Sequence, residues 1–243
     1  NKIAKSLSEL GVDYLEGGWP GANTLDTAFF NNPPKLNKTT LTAFGMTKKS
    51  GRSAENDPGL SALINTKASA ICLVGKTWDF HVDVALGITN KENLENIKES
   101  AKLFIKNKKE FMFDAEHFFD GYKNNPEYAL SCIKTAYDEG ARWIVLCDTN
   151  GGTLPNEIGD IVSKVSKKIP NQNLGIHCMG FYGSAIRIDT KYPLKGNVEN
   201  FLNLDLENID FVYVSENIVQ GELNQIIEFA DTSFVKVRLL PHF

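Results

Sequence analysis

The amino-acid sequence predicts an α/β fold built around a parallel sheet. Six short runs rich in β-branched and aromatic residues alternate with stretches of helical periodicity along residues 1–178. Each of these runs leads into a polar residue, and these polar residues follow one another at intervals of 29 to 40 residues: Glu16, Thr47, Lys76, Glu116, Asp148 and His177. Strands that alternate with helices are joined by crossovers, and crossovers make neighbouring strands parallel.

The predicted strands cover residues 12–16, 39–46, 70–74, 110–113, 143–147 and 174–177. The predicted helices cover residues 3–10, 91–105, 126–139 and 155–168. Gly11 is expected to end the first helix, and Pro155 to open the last one. The spacing is close to the roughly 31 residues that each unit of a (β/α)8 barrel uses, although a doubly wound open sheet gives a similar pattern.

Two features depart from a complete barrel. The chain opens on a helix, and only six strands precede residue 178, after which the pattern changes. We therefore expect an incomplete TIM (β/α)8 barrel that lacks the first and last strands, formed by residues 1–178. A small α/β Rossmann-like segment of different origin is expected over residues 179–243.

Composition excludes several function classes. The net charge is −4 and no basic cluster alternates with aromatic residues, which argues against a nucleic-acid partner. No apolar run approaches the roughly 20 residues that span a bilayer, so no membrane partner is expected. The four cysteines, Cys72, Cys132, Cys147 and Cys178, form no closely spaced pair. The sequence thus predicts a reduced, cytoplasmic, globular protein.

Two carboxylates end the fourth predicted strand. Asp114 and Glu116 are two residues apart, so their side chains project to the same side of the strand. At the mouth of a barrel they are able to bind a cation or move a proton, and Glu116 is the candidate catalytic residue. The alternative is a solvated loop with ordinary carboxylates. His117 is interpreted as a histidine that packs near the site or contacts a ligand residue, and not as a ligand itself.

A second polar group follows the fifth predicted strand. Asp148, Thr149 and Asn150 lead into the glycine turn that precedes Pro155. Backbone N–H groups and the Thr149 hydroxyl suit a carboxylate, so these three residues are candidates for substrate binding. The alternative is a plain turn with Asp and Asn capping. The segment lacks the Gly-Lys-Ser/Thr of a phosphate-binding P-loop.

His177 is the candidate metal ligand, because it ends the sixth predicted strand, and the alternative is a structural histidine. A second ligand on the same face is expected at position 179, but Met179 stands there, and a thioether is a poor ligand for hard divalent ions. Glu16, followed by the turn at residues 17–21, is a candidate to line the same mouth. The alternative for this segment is turn chemistry alone.

Taken together, these segments resemble the pyruvate-carboxyltransferase superfamily of TIM-barrel enzymes. That superfamily includes isopropylmalate, homocitrate and citramalate synthases and 3-hydroxy-3-methylglutaryl-CoA lyase, and the likeness is strongest to the (R)-citramalate synthase branch. It rests on LGVDYLEGGWPGAN (10–23), VGKTWDFHV (74–82), DAEHFFDGYK (114–123) and LCDTNGGTLP (146–155). It covers residues 1–178.

The resemblance implies a Claisen-type condensation of acetyl-CoA with a 2-oxoacid held on a divalent metal, Mg, Mn or Zn. It makes His177 the first histidine of a His-X-His metal pair and Glu116 the active-site glutamate. Thr149 matches the threonine that contacts the oxoacid carboxylate, and Glu16 matches a glutamate that faces the mouth. A complete family member is expected to be a cytoplasmic homodimer in isoleucine and leucine biosynthesis.

Departures from the family pattern accompany the likeness. The first strand, with its metal-binding aspartate, is not found in the sequence, and Met179 replaces the second histidine. Residues 180–183, 192–201, 209–214 and 229–241 resemble the Rossmann-like segment of undecaprenyl-phosphate sugar phosphotransferases. The simplest interpretation is a chimaeric reading frame, with activity impaired in this chain.

Two alternatives to a citramalate-synthase-like acyltransferase stay open. One is a catalytically inactive α/β fragment with a binding or scaffold function only. The other, within the same enzyme class, is a 2-isopropylmalate or homocitrate synthase, because the side-chain selectivity for the oxoacid lies partly in strands that the sequence lacks.

Overall fold

The computed structural model describes residues 1–178 and, beyond them, residues 211–215, 221, 224–226, 228 and 236–240. The chain divides into two compact units. The first contains residues 1–149 and 153–178, and the second contains residues 150–152 and 179–243. Met179 lies outside the described residues. The different origin of residues 179–243 stays a prediction.

The first unit contains a six-stranded sheet in which every neighbouring pair is parallel and the strands lie in sequence order. The strands are β1 Tyr14–Glu16, β2 Thr40–Met46, β3 Ala70–Lys76, β4 Glu110–Glu116, β5 Trp143–Asp148 and β6 Leu174–Cys178. All six predicted strands are confirmed, and the sequential order is that of a barrel wall, as the sequence predicts.

The first helix precedes β1, and the others connect consecutive strands. The helices are α1 Lys2–Leu10, α2 Thr24–Asn31, α3 Pro58–Ile64, α4 Asp79–His81, α5 Asn90–Lys106, α6 Phe118–Asn124, α7 Pro126–Asp138 and α8 Pro155–Val165. The four predicted helices are confirmed, although α8 ends three residues earlier than expected.

Local sequence fixes where several helices begin. The Thr89 side chain accepts a hydrogen bond from the Glu92 backbone N–H, and the Glu92 carboxylate accepts one from the Thr89 N–H, which completes a capping box at α5. Asn125 caps α7 by accepting from the Tyr128 N–H, and Pro126 follows at the first helical position. These caps satisfy N–H groups that the helix itself leaves unpaired.

One face of the sheet, called here the outer face, packs against the helices. It carries alternate strand residues that are fully or almost fully buried: Ile71, Leu73, Phe111, Phe113, Ala115, Ile144 and Leu146. Residues from α5 and α7, including Ile97, Phe104 and Ile133, complete this core. Because side chains alternate along a strand, the residues between these point to the opposite face.

The opposite face, called here the inner face, is the concave side of a curved sheet. The Tyr14 hydroxyl on β1 donates to the Glu110 carboxylate on β4 and accepts from the Trp143 Nε1–H on β5 at 3.2 Å. Ala70, Cys72 and Met112 form a small apolar cluster with Tyr14, Phe44 and Trp143. Contacts from the first strand to the fourth and fifth require a curved sheet, as in part of a barrel wall.

In the second unit, the described strands β7 Phe211–Ser215 and β8 Lys236–Leu240 pair in parallel. Across the described residues of both units, no helix is both long enough and apolar enough to cross a bilayer.

Candidate active site at the carboxyl end of the sheet

The polar residues that the sequence singles out gather at one end of the sheet. Glu16, Glu116, Asp148 and His177 lie at or next to the carboxyl ends of their strands, and Thr149 directly follows β5. Parallel strands bring these ends to the same edge, where α/β proteins bind their ligands. These five residues lie at one end of the sheet, as the sequence predicts, but they do not all share a face.

Glu116 is held in a partly buried ion pair. Its Oε2 lies 2.5 Å from the Nζ of Lys76, and the two side chains are 23% and 16% exposed. Lys76 and Glu116 end β3 and β4 and are register partners, so the sheet itself brings them together. A charge-assisted pair of this geometry fixes the orientation of the carboxylate.

Two histidines and a tryptophan pack beside this pair. The rings of His81 and His117 meet edge to face at 4.3 Å, and Trp78 lies 4.7 Å from His81. Burial, and after it the charges of His117 and Lys76, lower the pKa of His81 and keep its ring neutral at pH 7. His81 Nδ1 and Trp78 Nε1 are buried without a hydrogen-bond partner within the described part of the chain.

His117 behaves as the packing histidine that the sequence predicts. It is 9% exposed, and its Nδ1 lies 3.3 Å from an oxygen of Asp120. Its φ of 53° places it in the left-handed region, which ends β4 abruptly and starts α6. This turn presents the His117 backbone N–H to the Thr149 hydroxyl.

Thr149 accepts that hydrogen bond at 2.9 Å. Because a hydroxyl has one proton and two lone pairs, this contact orients Thr149 and leaves its proton for another acceptor, such as a carboxylate. Asn150 is exposed in the turn that follows. Their substrate-binding roles stay predictions.

Asp148 lies on the other face of β5 from Cys147. It is 2% exposed, and its carboxylate accepts hydrogen bonds from the Thr153 N–H at 3.2 Å and the Thr153 hydroxyl at 2.9 Å. These contacts stabilise the glycine turn, which is the capping alternative. The substrate-binding role predicted for Asp148 stays a prediction, and the described contacts favour the structural one.

Glu16 ends β1 and is solvent-accessible. Even so, desolvation by its neighbours, and second the negative charge of Asp114, raise its pKa to about 7. The turn after it depends on Gly18, whose φ of 125° suits glycine and where a Cβ would meet the Asp26 carboxyl group at 2.6 Å. Asp26 Oδ2 accepts from the Trp19 N–H at 2.8 Å, so this turn has a structural function of its own.

His177 meets two further donors on the inner face. One ligand atom each of Asp114, Cys147 and His177 lie within 4.8 Å of one another. Burial raises the pKa of the Cys147 thiol well above its usual value, and burial also raises that of Asp114. A carboxylate, a thiol and an imidazole are all metal-ligating groups, so the residues present fit a divalent ion.

Sequence reasoning did not single out Lys76, His81 or Cys147 as site residues. Lys76 follows the third predicted strand, and Cys147 lies at the end of the fifth. The alternation rule was the available signal, because residues 145, 147 and 149 share one side of β5 and residue 148 points away. Applied strictly, that rule separates Asp148 from Cys147.

Comparison with known proteins identifies the family. The family profile described as HMGL-like matches residues 1–187. The (R)-citramalate synthase of Aquifex aeolicus (strain VF5) is 47% identical over 178 residues, which cover 72% of this chain and 34% of that protein. That of Sulfolobus acidocaldarius is 43% identical over 225 residues, covering 90% of this chain and 43% of that protein.

A 2-isopropylmalate synthase of Sulfolobus acidocaldarius is 30% identical over 185 residues, covering 76% of this chain and 45% of that protein. Among solved structures, hydroxymethylglutaryl-CoA lyase from Pseudomonas aeruginosa superposes with a TM-score of 0.60 at 14% identity, over 73% of this chain and 59% of that one. The chain spans about a third of the length of the first citramalate synthase it matches. The predicted barrel-type fold is confirmed, and the chain belongs to the HMGL-like family.

Proposed function

We propose that this chain carries part of the active site of a citramalate-synthase-like acyltransferase, which condenses acetyl-CoA with pyruvate and then hydrolyses the thioester with water, so that CoA leaves as a free thiol. The observation that carries the proposal is the Lys76–Glu116 ion pair beside Thr149 at the carboxyl end of the sheet. Relatives named (R)-citramalate synthase, up to 47% identical, support the choice of reaction.

A divalent ion near His177 would polarise the keto oxygen of the oxoacid and stabilise charge that develops there. The side chains available to hold it are His177 and Asp114, with Cys147 in reach. These donor atoms decide which of Mg2+, Mn2+ and Zn2+ would bind.

The other steps fall to the chain's own residues. The Thr149 hydroxyl donates a hydrogen bond to the oxoacid carboxylate, because its oxygen already accepts one from the His117 N–H. Glu116 accepts the proton that the acetyl methyl group loses, and Lys76 positions its carboxylate. Glu16 lines the same mouth. The substrate partners are thus a small 2-oxoacid and acetyl-CoA.

A 2-isopropylmalate synthase activity is the second candidate, because one relative with that name is 30% identical to the chain. The two candidates differ only in the oxoacid side chain that the mouth accepts. A purely binding function is the outcome expected if the chain holds pyruvate without turning it over.

The test is thiol release from acetyl-CoA by the purified chain with a divalent ion and pyruvate, 2-oxoisovalerate or 2-oxoglutarate. We expect release with pyruvate, lowered by Glu116→Gln about 10²- to 10⁴-fold, which is the usual contribution of a general base. No release with any oxoacid, or release that Glu116→Gln does not change, contradicts the proposal.

Lys76→Met should lower the same rate, and Lys76→Arg should restore part of it, because the cation orients Glu116. The matched control is Lys109→Met at the amino end of the same strands. That lysine is also partly buried, but its Nζ donates to the Thr66 and Ala68 carbonyls and contacts no site residue.

A further inference from the structure

We propose that Cys147 is a metal ligand, and that Asp114, Cys147 and His177 form a mixed oxygen, sulfur and nitrogen site that takes Zn2+ or Co2+ in preference to Mg2+ or Mn2+. The inference rests on the proposed function only in placing the ion of that reaction at this site. The ligand set is not the one that the family resemblance implies, which is an aspartate of the first strand and a histidine pair, and the two sets share His177 alone.

The sheet brings the three donors together. Cys147 on β5 is the register partner of His177 on β6. Asp114 on β4 pairs with Val145, which is two residues from Cys147 and on the same side of β5. Three adjacent parallel strands therefore present their donors to the inner face, with one ligand atom of each within 4.8 Å of the others.

The separation is close to what one ion requires. Zinc bonds of about 2.0–2.3 Å at tetrahedral angles put donor atoms roughly 3.3–3.6 Å apart. Each donor must therefore move inward by about an ångström or less. Side-chain torsions of Asp114 and His177 are able to supply this movement, because the first is only partly buried and the second is exposed.

The surroundings of the donors also suit a ligand set. Cys72 lies on the inner face of β3, and its thiol acts on the neighbouring Asp114 carboxyl group by lowering its pKa against the opposing effect of burial. Outer contacts of this kind orient a ligating carboxylate. The Cys147 thiol donates a weak hydrogen bond, at 3.7 Å, to the Val145 carbonyl. On metal binding the thiol loses this proton to solvent, and the resulting thiolate is the ligand.

Donor chemistry decides the metal. Thiolate and imidazole favour Zn2+ and Co2+, whereas Mg2+ and Mn2+ favour oxygen ligands. Three protein donors leave a fourth position of a tetrahedral ion for water or substrate, which is the arrangement of catalytic zinc sites. The site is thus compatible with an ion that binds an oxoacid.

The experiment titrates Co2+ into the purified full chain and records its absorption spectrum. We expect one bound ion per chain with sulfur-to-cobalt charge-transfer absorption and tetrahedral ligand-field bands, displaced by Zn2+ and not by Mg2+. Cys147→Ala should abolish the charge-transfer absorption, and His177→Ala and Asp114→Asn should weaken binding. Cys72→Ala should weaken it by roughly 10- to 100-fold, as for other outer contacts.

Two cysteine variants are matched controls. Cys132→Ala removes a buried thiol on α7, and Cys178→Ala removes the exposed thiol next to His177. Both should keep the full spectrum. Charge-transfer absorption that survives in Cys147→Ala, or disappears in Cys178→Ala instead, overturns the proposal.

X-ray absorption spectroscopy of the zinc-loaded wild-type chain measures the metal ligands directly. Its result does not depend on whether the variants fold. A sulfur neighbour at about 2.3 Å supports the proposal, and a shell of only nitrogen and oxygen overturns it. If the chain releases thiol from acetyl-CoA but the metal has no sulfur ligand, the metal-site inference is wrong and the proposed function stands. If the metal has a sulfur ligand but the chain shows no turnover, the proposed function is wrong and the metal-site inference stands.

Discussion

The outer and inner faces of the six-stranded sheet are built from different side chains. The outer face is a continuous apolar layer against the helices, in which Phe111, Phe113 and Ile144 are fully buried. The inner face has one small apolar cluster around Ala70 and Cys72, and beyond it carries ionisable groups up to the carboxyl ends of the strands.

This difference separates stability from chemistry within the same strands. Parallel sheets covered on both faces usually read as continuous apolar runs. Here the alternate residues of β4 are Phe111, Phe113 and Ala115 on the outer face but Asp114 and Glu116 on the inner face. The outer layer supplies the burial that keeps the strands in register, and that register holds charged groups close together on the inner face.

The comparison predicts unequal costs for removing aromatic rings. Phe113→Ala should destabilise the protein by about 3–5 kcal/mol, because the ring is fully buried in the outer layer. Phe44→Ala on the inner face should cost less, about 1–2 kcal/mol, because Phe44 is only partly buried. Urea unfolding of the two variants measures both values, and equal costs would remove the distinction between the faces.

A smaller effect is expected at Gly121, where α6 approaches the loop after β3. A Cβ there would lie 2.5 Å from the Thr77 carbonyl oxygen and 2.9 Å from the Trp78 Cα, both backbone atoms. Gly121→Ala should therefore destabilise the protein by about 1–3 kcal/mol. It should also disturb the Trp78 and His81 rings, which intrinsic tryptophan fluorescence reports.

The control for this prediction is Gly159→Ala in α8, where a Cβ would meet nothing within 4 Å. That variant should gain about 0.5–1 kcal/mol from helix propensity. A Gly121→Ala protein as stable as the Gly159→Ala protein would show that α6 and the loop are not in close contact.

The smallest effect is a pH dependence at Glu16. Because its pKa is raised from an ordinary 4.5 to about 7, the folded state binds more protons than the unfolded state between these values. Stability therefore falls as pH rises through this window. Glu16→Gln should lose less stability than the wild type between pH 5 and pH 8 in urea unfolding, with a residual loss from Asp114, whose pKa is also raised.

Asp13→Asn is the matched control, since Asp13 is exposed immediately before β1. Its profile measures what the loss of one exposed carboxylate does by itself, and the Glu16→Gln profile is compared with it. Parallel profiles for the wild type and Glu16→Gln would mean that Asp114 and the surrounding atoms do not act on Glu16 as inferred.

The sequence predicted the positions of all six strands, although β3 and β4 extend two and three residues beyond their predicted ends. Apolar runs that stop at Glu116 or His177 mark strand ends directly, because burial ends where the polar residue begins. The short helices α2, α3 and α6 were not identified, since each is only seven or eight residues long and gives little periodicity. The predicted helix α8 was three residues too long at its C-terminal end, because Lys167 and Lys168 are residues that are common in helices.

Contacts between strands explain what sequence missed at the site. The Lys76–Glu116 pair depends on the register of β3 with β4, and the approach of Cys147 to His177 depends on that of β5 with β6. Register is set by packing across the whole outer layer, so no local motif contains it. For Asp148 the local motif predicted a contact with a ligand. Its side chain lies on the other face of β5 and instead accepts a hydrogen bond from Thr153.

The central claim, that the carboxyl end of the inner face binds a 2-oxoacid, is tested most directly by calorimetric titration of pyruvate into the chain in the presence of Zn2+. We expect Thr149→Ala to weaken binding by roughly 10- to 100-fold, because hydrogen bonds to charged groups contribute about 1.5–3 kcal/mol. Thr135→Ala on α7, whose hydroxyl donates to the Ser131 carbonyl, should bind like the wild type. Pyruvate binding that Thr149→Ala leaves unchanged, or that Thr135→Ala weakens equally, contradicts the claim.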